Sequence, residues 1–171
     1  MLIDIAEIKK EFAKVDEKEL ERKLTAIELF IRKHTNNNFQ VRSIRFEAAS
    51  DGNTIKGAHQ LLKIGDTIQI SESENNGLYV ITEIADGQLI TDKELHTVPH
   101  NLITKVVYPA DVIDGALELL KWRINYGGKI GVKSETLSRH SVTYYDNTSA
   151  TTGGYPVALM GFCEPYMKAR F

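Results

Sequence analysis

The chain has 171 residues, of which 42% are hydrophobic and 26% are charged, and this is the composition of an ordinary globular protein. The length predicts one domain, or one domain with an insertion, that is large enough to build a core. The formal net charge of −2 excludes a strong overall attraction to nucleic acid or to an anionic membrane. The sequence has no apolar run long enough to span a bilayer, so we expect no membrane partner.

The first helical pattern covers about residues 4–14, where apolar residues fall on one face. A second, longer helix is predicted for residues 17–34. Asp16 is its expected N-cap and Glu19, three residues on, completes a pair of the capping-box type. The asparagine run at 36–38 should stop this helix, because asparagine bonds to nearby backbone and tolerates left-handed conformations. The apolar positions that define the two helices are Ile3, Ile5, Ile8 and Phe12, then Leu20, Leu24, Ile27, Phe30 and Ile31.

From Phe39 the apolar period changes from helical to strand-like. Asn76-Gly77 and Asp86-Gly87 are turn signals between segments rich in β-formers. We predict about five or six short strands between residues 39 and 108, forming a small antiparallel SH3-like β-barrel. Because helical patterns flank this region, we interpret it as an insertion into a helical domain made of residues 1–38 and 109–171.

A third helix is predicted for residues 110–126, since Pro109 suits a helix start and Gly127-Gly128 suits its end. Its apolar residues cover more than half of its circumference, which indicates burial against the first two helices. Trp122, the only tryptophan, is expected in the core or at an interface. The predicted fold class is therefore α+β: a helical bundle of three main helices and a short C-terminal helix, an inserted β-barrel, and an extended C-terminal arm.

The predicted arm spans residues 129–145 and carries β-branched and aromatic residues without helical spacing. We expect it to lie outside any local hairpin and to pair with a neighbouring copy of the chain, because an unpaired strand edge needs a partner. Its charged residues are interpreted as facing a channel or an acidic neighbour, with solvated surface charge as the alternative. The expected inter-subunit contacts are Val132, Leu137, Val142 and Tyr144, and the charged residues are Lys129, Lys133 and Arg139.

The tail, residues 155–171, follows a small polar stretch at 147–154 that should act as a tether. We expect the tail to be too short to bury its apolar residues by itself, so that it serves as an anchor for a partner. Removing residues 161–171 should then leave the monomer folded. The alternative is that its aromatic residues fold back on the helices. The expected anchor residues are Phe162, Tyr166, Lys168, Arg170 and Phe171.

Charge is distributed unevenly along the chain. Residues 121–171 hold seven Lys or Arg and three Asp or Glu, whereas residues 36–120 hold six and twelve. A basic end beside an acidic middle suits head-to-tail contact between copies.

Little in the sequence indicates catalysis or metal binding. The single cysteine, Cys163, excludes an intramolecular disulfide and a cysteine-based metal cluster, and we expect it to be a buried apolar residue in a reducing, intracellular compartment. The start of the chain lacks the pattern of a signal peptide. His96 and His100 are separated by Pro99, which opposes a zinc site on a helix. We therefore predict no catalytic residues, no cofactor and no metal.

Three motifs in this order carry a family resemblance. The second helix closes on FIRKHTN at residues 30–36, within a first motif that spans residues 31–38. A strand-like VKSETLSRHSVTY occupies residues 132–144, and EPYMKAR occupies residues 164–170. Together with the short first helix and the long third helix, they resemble the head–tail connector, or head-completion adaptor, family of tailed phages. The motifs cover both ends of the chain. The central β region lies outside the minimal family pattern, although some members carry an insertion there.

The resemblance implies a structural virion protein and not an enzyme. Members of the family form a ring, usually twelve-fold, beneath the portal at the capsid vertex; the ring extends the DNA channel and docks a stopper or tail. The implied partners are other copies of the chain, the portal protein, a stopper or tail-completion protein, and DNA that passes through without sequence-specific binding. The implied location is the virion neck, with the host cytoplasm during assembly, and the tail is the implied portal contact.

Two other functions stay open. A nucleic-acid-binding regulator would use the small barrel, but that segment is acidic, which opposes contact with phosphates. An enzyme of unknown type is the third class. Chromatography with light scattering would reveal a ring, and a salt-dependent shift of DNA would favour the regulator.

Overall fold

The computed structural model describes residues 2–3, 5–127, 134–137, 140–143 and 151–169. The chain divides into two compact units. The first, called the β unit, comprises Met1–Asp4 and Asn38–Tyr108, and the second, called the helical unit, comprises Ile5–Asn37 and Pro109–Phe171.

The β unit contains a four-stranded antiparallel sheet in the order β1-β4-β2-β3. Its strands are β1 (Gln40–Ile55), β2 (Thr67–Ser71), β3 (Gly77–Ala85) and β4 (Gln88–Val106). β4 is 19 residues long, so it can serve several partners along its length. Its C-terminal part pairs with β2, its N-terminal part pairs with β3, and β1 pairs with it at both ends.

The core of the β unit is built from branched aliphatic residues that alternate along the strands. Ile68 and Ile70, two apart on β2, are both fully buried, as the two-residue period of a strand requires. Burying each such side chain contributes about 1.5–3 kcal/mol relative to leaving it exposed. The remaining fully buried aliphatic residues of this core are Ile55, Ile81, Leu89 and Ile103.

The predicted SH3-like barrel is wrong. Among the described residues β1 pairs with β4 alone, so the sheet keeps an edge at β1 and no barrel closes. The predicted number of strands is also wrong, because the polar stretch from residue 92 to residue 100 is part of β4 and not a loop. This stretch pairs with the second half of β1, where Ser50 lies opposite Val98 and Gly52 opposite Leu95.

The β1–β4 ladder is irregular. Its register shifts between Val41 and Arg45 and at three further points up to Thr54. Such bulges bend a strand and increase its twist. They explain why a strand of 16 residues gave no continuous alternation in the sequence.

The helical unit contains α1 (Ile5–Glu11), α2 (Glu17–Thr35) and α3 (Ala110–Tyr126). The predicted cap of α2 is confirmed: Glu19 N donates to Asp16 Oδ2 at 3.2 Å. Asn36 ends α2 in the left-handed conformation with φ 50°, as expected for asparagine at this position. The first helix is shorter than the predicted 4–14, whereas the bounds predicted for α3 agree with the structure.

The helical unit buries one face of each long helix. The residues of α2 that are fully buried recur at three- and four-residue steps, which places them on one stripe. They are Leu20, Leu24, Ile27 and Ile31, and the fully buried residues of α3 are Val112, Ala116, Leu119 and Leu120.

The arm contains a local hairpin, contrary to the expectation that it has none. β5 (Ser134–Leu137) pairs antiparallel with β6 (His140–Thr143), and Leu137 lies opposite His140. Only two residues separate the strands, which is the commonest loop length of a hairpin. The expectation failed because Ser138-Arg139 lacks the usual Asn-Gly or Gly turn signal.

The region predicted as a short C-terminal helix or tail contains a minimal hairpin and two short helices of the 3₁₀ type. β7 (Thr151–Thr152) and β8 (Tyr155–Pro156) form a minimal hairpin, and 3₁₀ turns follow at Val157–Leu159 and Gly161–Tyr166. Gly153 at the hairpin turn has φ +60°, and a Cβ there would lie 2.2 Å from the Phe30 ring. Glycine is therefore required at this turn.

We predict that the helical unit folds without residues 39–108. Val107 N donates to Phe39 O at 3.0 Å, and the rings of Phe39 and Tyr108 are 5.0 Å apart. The first and last residues of the deleted segment are therefore close together, so a short Gly/Ser linker can replace the segment. Circular dichroism should show retained helix and a cooperative thermal transition. Loss of the helical signal would mean that the two units share one core.

Candidate interaction surface of the helical unit

Tyr155 anchors the start of the tail. Its ring centroid lies 5.4 Å from that of Phe30 on α2 and 5.6 Å from that of Trp122 on α3. The Tyr155 hydroxyl accepts a hydrogen bond from Arg123 Nη1 at 2.9 Å. Only 3% of the residue is exposed. Tilted rings at these separations attract each other beyond the burial of their area, so Tyr155 joins the tail firmly to both helices.

Phe162 packs directly on the backbone of α3. A Cβ on Gly115 would lie 2.3 Å from Phe162 Cδ1, which is too close for any side chain. Cys163 and Met160, on either side of Phe162, are buried. The absence of a side chain at Gly115, in the middle of α3, therefore leaves the space that the Phe162 ring occupies.

We predict that Gly115→Ala destabilises the helical unit by up to about 2 kcal/mol. Overpacking a core costs about 1–3 kcal/mol, while alanine gains about 1 kcal/mol over glycine in a helix. Denaturant unfolding measures the net effect. The double variant Gly115→Ala, Phe162→Leu should recover part of the loss, and additive effects would contradict the contact.

The end of the tail is bound by hydrogen bonds to the C-terminal end of α2. Lys168 N donates to Thr35 O at 2.8 Å, which satisfies a carbonyl that has no partner within the helix. Asn37 Nδ2 donates to Tyr166 O at 3.2 Å and Asn36 Nδ2 to Ala169 O at 2.8 Å. Three successive residues of the α2 end thus bind the tail.

Tyr166 also connects the tail to the start of α3. Its hydroxyl lies 2.8 and 2.9 Å from the two carboxylate oxygens of Asp111 and donates to them. This hydrogen bond raises the pKa of Tyr166, because a tyrosinate could not donate and would be repelled by the carboxylate.

The tail buries part of its apolar surface against the helices, whereas its expected contact with the portal stays a prediction. The tail packs on α2 and α3 through Tyr155, Phe162 and Cys163, and its competing interpretation, folding back on the helices, is what the structure contains. Met167 remains 52% exposed and Lys168 is also exposed. A partner can therefore reach these two side chains without detaching the tail.

Burial makes Cys163 a probe of tail packing. The residue is 1% exposed, and desolvation raises the pKa of its thiol to about 11. At pH 8 the reactive thiolate is therefore scarce. We predict that a thiol reagent labels the native protein slowly and the unfolded protein quickly. Rapid labelling under native conditions would mean that the tail detaches in solution.

A polar cleft of about 540 Å³ lies beside the anchor of the tail. Lys23 and Glu19 of α2 pair across one wall at 3.2 Å. The other lining residues are Trp122, Arg123, Ile124, Gly127, Gly153, Gly154 and Tyr155. In the described part of the chain, no group of three or more His, Cys, Asp or Glu is placed to hold a metal ion. Nor does any described helix have the length and apolar character needed to cross a membrane.

The predicted site residues fall into three groups. Phe162, Tyr166 and Lys168 lie together along α3 and the α2 end, whereas Leu137 and Val142 lie on the two strands of the arm hairpin. The others are outside the described residues: Lys129, Val132, Lys133, Arg139, Tyr144, Arg170 and Phe171.

Sequence reasoning missed the residues that receive the tail. Gly115 offered a signal, since an isolated glycine inside a helical pattern often has a packing reason. Asp111, Asn36 and Asn37 offered none beyond their roles at helix ends.

No known family model matches this sequence, and the curated proteins include none with significant similarity to it.

Proposed function

We propose that this chain is a head–tail connector of a tailed phage, a structural protein of the virion neck. In this role copies assemble in the host cytoplasm into a ring, usually twelve-fold in the family it resembles, beneath the portal. The ring extends the DNA channel, through which DNA passes without sequence-specific binding, and docks a stopper or tail-completion protein. The role is structural and requires no catalytic site, cofactor or metal.

The observation that supports this proposal most is the contact between two of the three motifs. The motif at the end of α2 and the terminal motif are about 130 residues apart, as the Asn37–Tyr166 and Asn36–Ala169 bonds span 129 and 133 positions. The two motifs nevertheless form one hydrogen-bonded surface. A chance resemblance of separate segments gives no reason for such a contact, whereas a shared family fold does.

We propose that this surface, completed by the exposed side chains of the tail, contacts the portal. Met167 supplies apolar area and Lys168 supplies charge, a combination found at interface rims and anchors. Phe162 and Tyr166 would act through position, since they fix the tail on α3. Arg170 and Phe171 would extend the same contact.

Binding to purified portal protein tests the proposal. Full-length chain should co-migrate with portal in size-exclusion chromatography with light scattering and should form rings in electron micrographs. Lys168→Glu should weaken portal binding by about tenfold, because like or unpaired charge at an interface costs about 1.4 kcal/mol or more. The exposed Lys18→Glu on α2 is the matched control and should bind normally.

Absence of any complex between the wild-type chain and portals from several tailed phages would overturn the proposal. A salt-dependent complex with DNA, with no portal binding, would favour the nucleic-acid-binding alternative.

For the arm, we propose contact with a neighbouring copy. An isolated two-stranded hairpin is marginally stable in water, so β5 and β6 gain from pairing with a further strand. Leu137 and Val142 are the arm residues that we assign to this contact, together with Val132 and Tyr144. Lys129, Lys133 and Arg139 would face the channel or an acidic neighbour. Amide exchange should show more protection of residues 134–143 in rings than in monomers.

A further inference from the structure

The β unit presents two apolar side chains on the loop that precedes β2. Leu61 is 60% exposed and Ile64 is 65% exposed, while Leu62 between them is 5% exposed and anchors the loop in the core. Lys63 is exposed beside them. We call residues 59–64 the apolar loop. Burying these two neighbouring aliphatic side chains against a partner would remove apolar surface from water, which favours association.

Asp66 and His59 hold the apolar loop in one conformation. Asp66 Oδ2 accepts a hydrogen bond from Lys63 N at 2.8 Å and forms an ion pair of 2.6 Å with Lys105 on β4. Leu61 N donates to His59 Nδ1 at 3.2 Å, and Leu62 N to His59 O at 2.9 Å. A loop that is ordered before binding loses little conformational entropy on binding.

The other end of β2 leads into an acidic turn, residues 72–74. Glu72 and Glu74 are both exposed, and Glu72 has φ 60°, a conformation that is uncommon outside glycine. The neighbouring Asn75 is 2% exposed and fixes the turn: its Oδ1 accepts from His96 N at 2.7 Å and its Nδ2 donates to Ser50 Oγ at 3.0 Å.

The apolar loop and the acidic turn lie at opposite ends of the same strand. β2 has five residues, so the two features are separated by about 16 Å at 3.3 Å per residue. They carry opposite charge, because the loop contributes Lys63 and the turn contributes Glu72 and Glu74. A surface with complementary features on opposite ends can join copies head to tail, and such contacts form a ring when the rotation between copies closes.

We propose that the apolar loop of one β unit packs against the acidic turn of the β unit in a second copy of this chain. Leu61 and Ile64 supply the buried apolar area, and Lys63 pairs with Glu72 or Glu74. The contact is heterologous, so each copy uses its loop toward one neighbour and its turn toward the other. This inference deepens the proposed function, on which it rests for the ring, by naming the partner of the β insertion.

Charge exchange between two variants tests the contact. Lys63→Glu gives a copy with an acidic loop and an acidic turn, whereas the double variant Glu72→Lys, Glu74→Lys gives a copy with a basic loop and a basic turn. Each alone should self-associate at least about tenfold more weakly than wild type, because like charges face each other. An equimolar mixture should restore association, since alternating copies place opposite charges at every contact.

Analytical ultracentrifugation over a range of protein concentrations measures these associations, and melting temperature verifies that every variant is folded. Leu61→Ser with Ile64→Ser should also weaken association by about tenfold or more. Leu29→Ser is the control, because Leu29 is 49% exposed on the helical unit.

A wild-type chain that stays monomeric at all concentrations, or a mixture that associates no better than its components, would overturn the inference. Portal binding by the same variants is measured separately. If the variants bind the portal but their mixture does not regain self-association, only the loop contact is contradicted. If the wild-type chain does not bind the portal, the proposed function is contradicted.

Discussion

Removing residues 161–171 is expected to lower the free energy of unfolding of the helical unit by about 3–5 kcal/mol, the cost typical of deleting a large buried side chain. The deletion takes away the Phe162 ring that covers Gly115 and the buried Cys163. It also removes the donor to Thr35 O, and so leaves a carbonyl at the α2 end without that partner. Urea unfolding followed by circular dichroism measures the loss.

The matched control is a shorter truncation that removes residues 170–171 only. It keeps Phe162, Cys163 and the hydrogen bonds that join the tail to Thr35, Asn36 and Asn37, so its unfolding midpoint should stay near that of the full chain. An unchanged midpoint for the long truncation would mean that the tail does not pack on the helices in solution.

This stability effect determines how portal binding must be tested. Because the long truncation disturbs the whole unit, a loss of portal binding in that variant does not identify the tail as the binding site. The exposed side chains of Met167 and Lys168 separate the two roles, since they contribute little to packing. Variants at these positions alter the surface while Phe162 and Tyr166 keep the tail in place.

The helices could be predicted because their signals are local. Asp16 and Glu19 are three residues apart, and the cap depends only on that spacing and on side-chain chemistry. The buried stripe of α2 follows from the three- and four-residue recurrence of leucine and isoleucine. Neither feature requires knowledge of what the helix packs against.

The sheet could be predicted only in part because its pairing is non-local. The turn at Asp86-Gly87 can be predicted from its sequence, and it joins β3 to β4 in the structure. The continuity of β4 through Pro99 cannot be predicted from the sequence, since proline usually interrupts a strand. Whether the sheet closes depends on the partner of β1, and no local pattern of residues encodes that partner.

The candidate surface was predicted as a set of residues and not as a structure. The residue types of Phe162, Tyr166 and Lys168 suggest an interaction surface, but the residues that they contact lie on α2 and α3. Gly115 and Asp111 become meaningful only when the tail is placed against them. A contact spanning 55 residues, as between Asp111 and Tyr166, leaves no trace in hydrophobic periodicity.

Asn75→Ala is expected to destabilise the β unit by about 1–3 kcal/mol, the cost of leaving a polar group without its partner. Alanine leaves His96 N without the acceptor that it has at 2.7 Å. It also removes two buried contacts of the asparagine amide, to Ser50 Oγ and to Asn101 Oδ1. The acidic turn that Asn75 supports should become mobile as a consequence.

Asn76→Ala is the control for this substitution. Asn76 is adjacent and exposed, and its Oδ1 accepts a long hydrogen bond of 3.3 Å from Ser73 N, so the loss of this side chain should cost about 1 kcal/mol or less. Denaturant unfolding should therefore show Asn75→Ala to be the more destabilising of the two variants. Equal midpoints for the two variants would contradict the buried network. Self-association of the Asn75→Ala variant should also be weaker than that of the wild type under conditions where the variant is fully folded. The acidic turn would be mobile in this variant, so ordering it at each contact would cost conformational entropy.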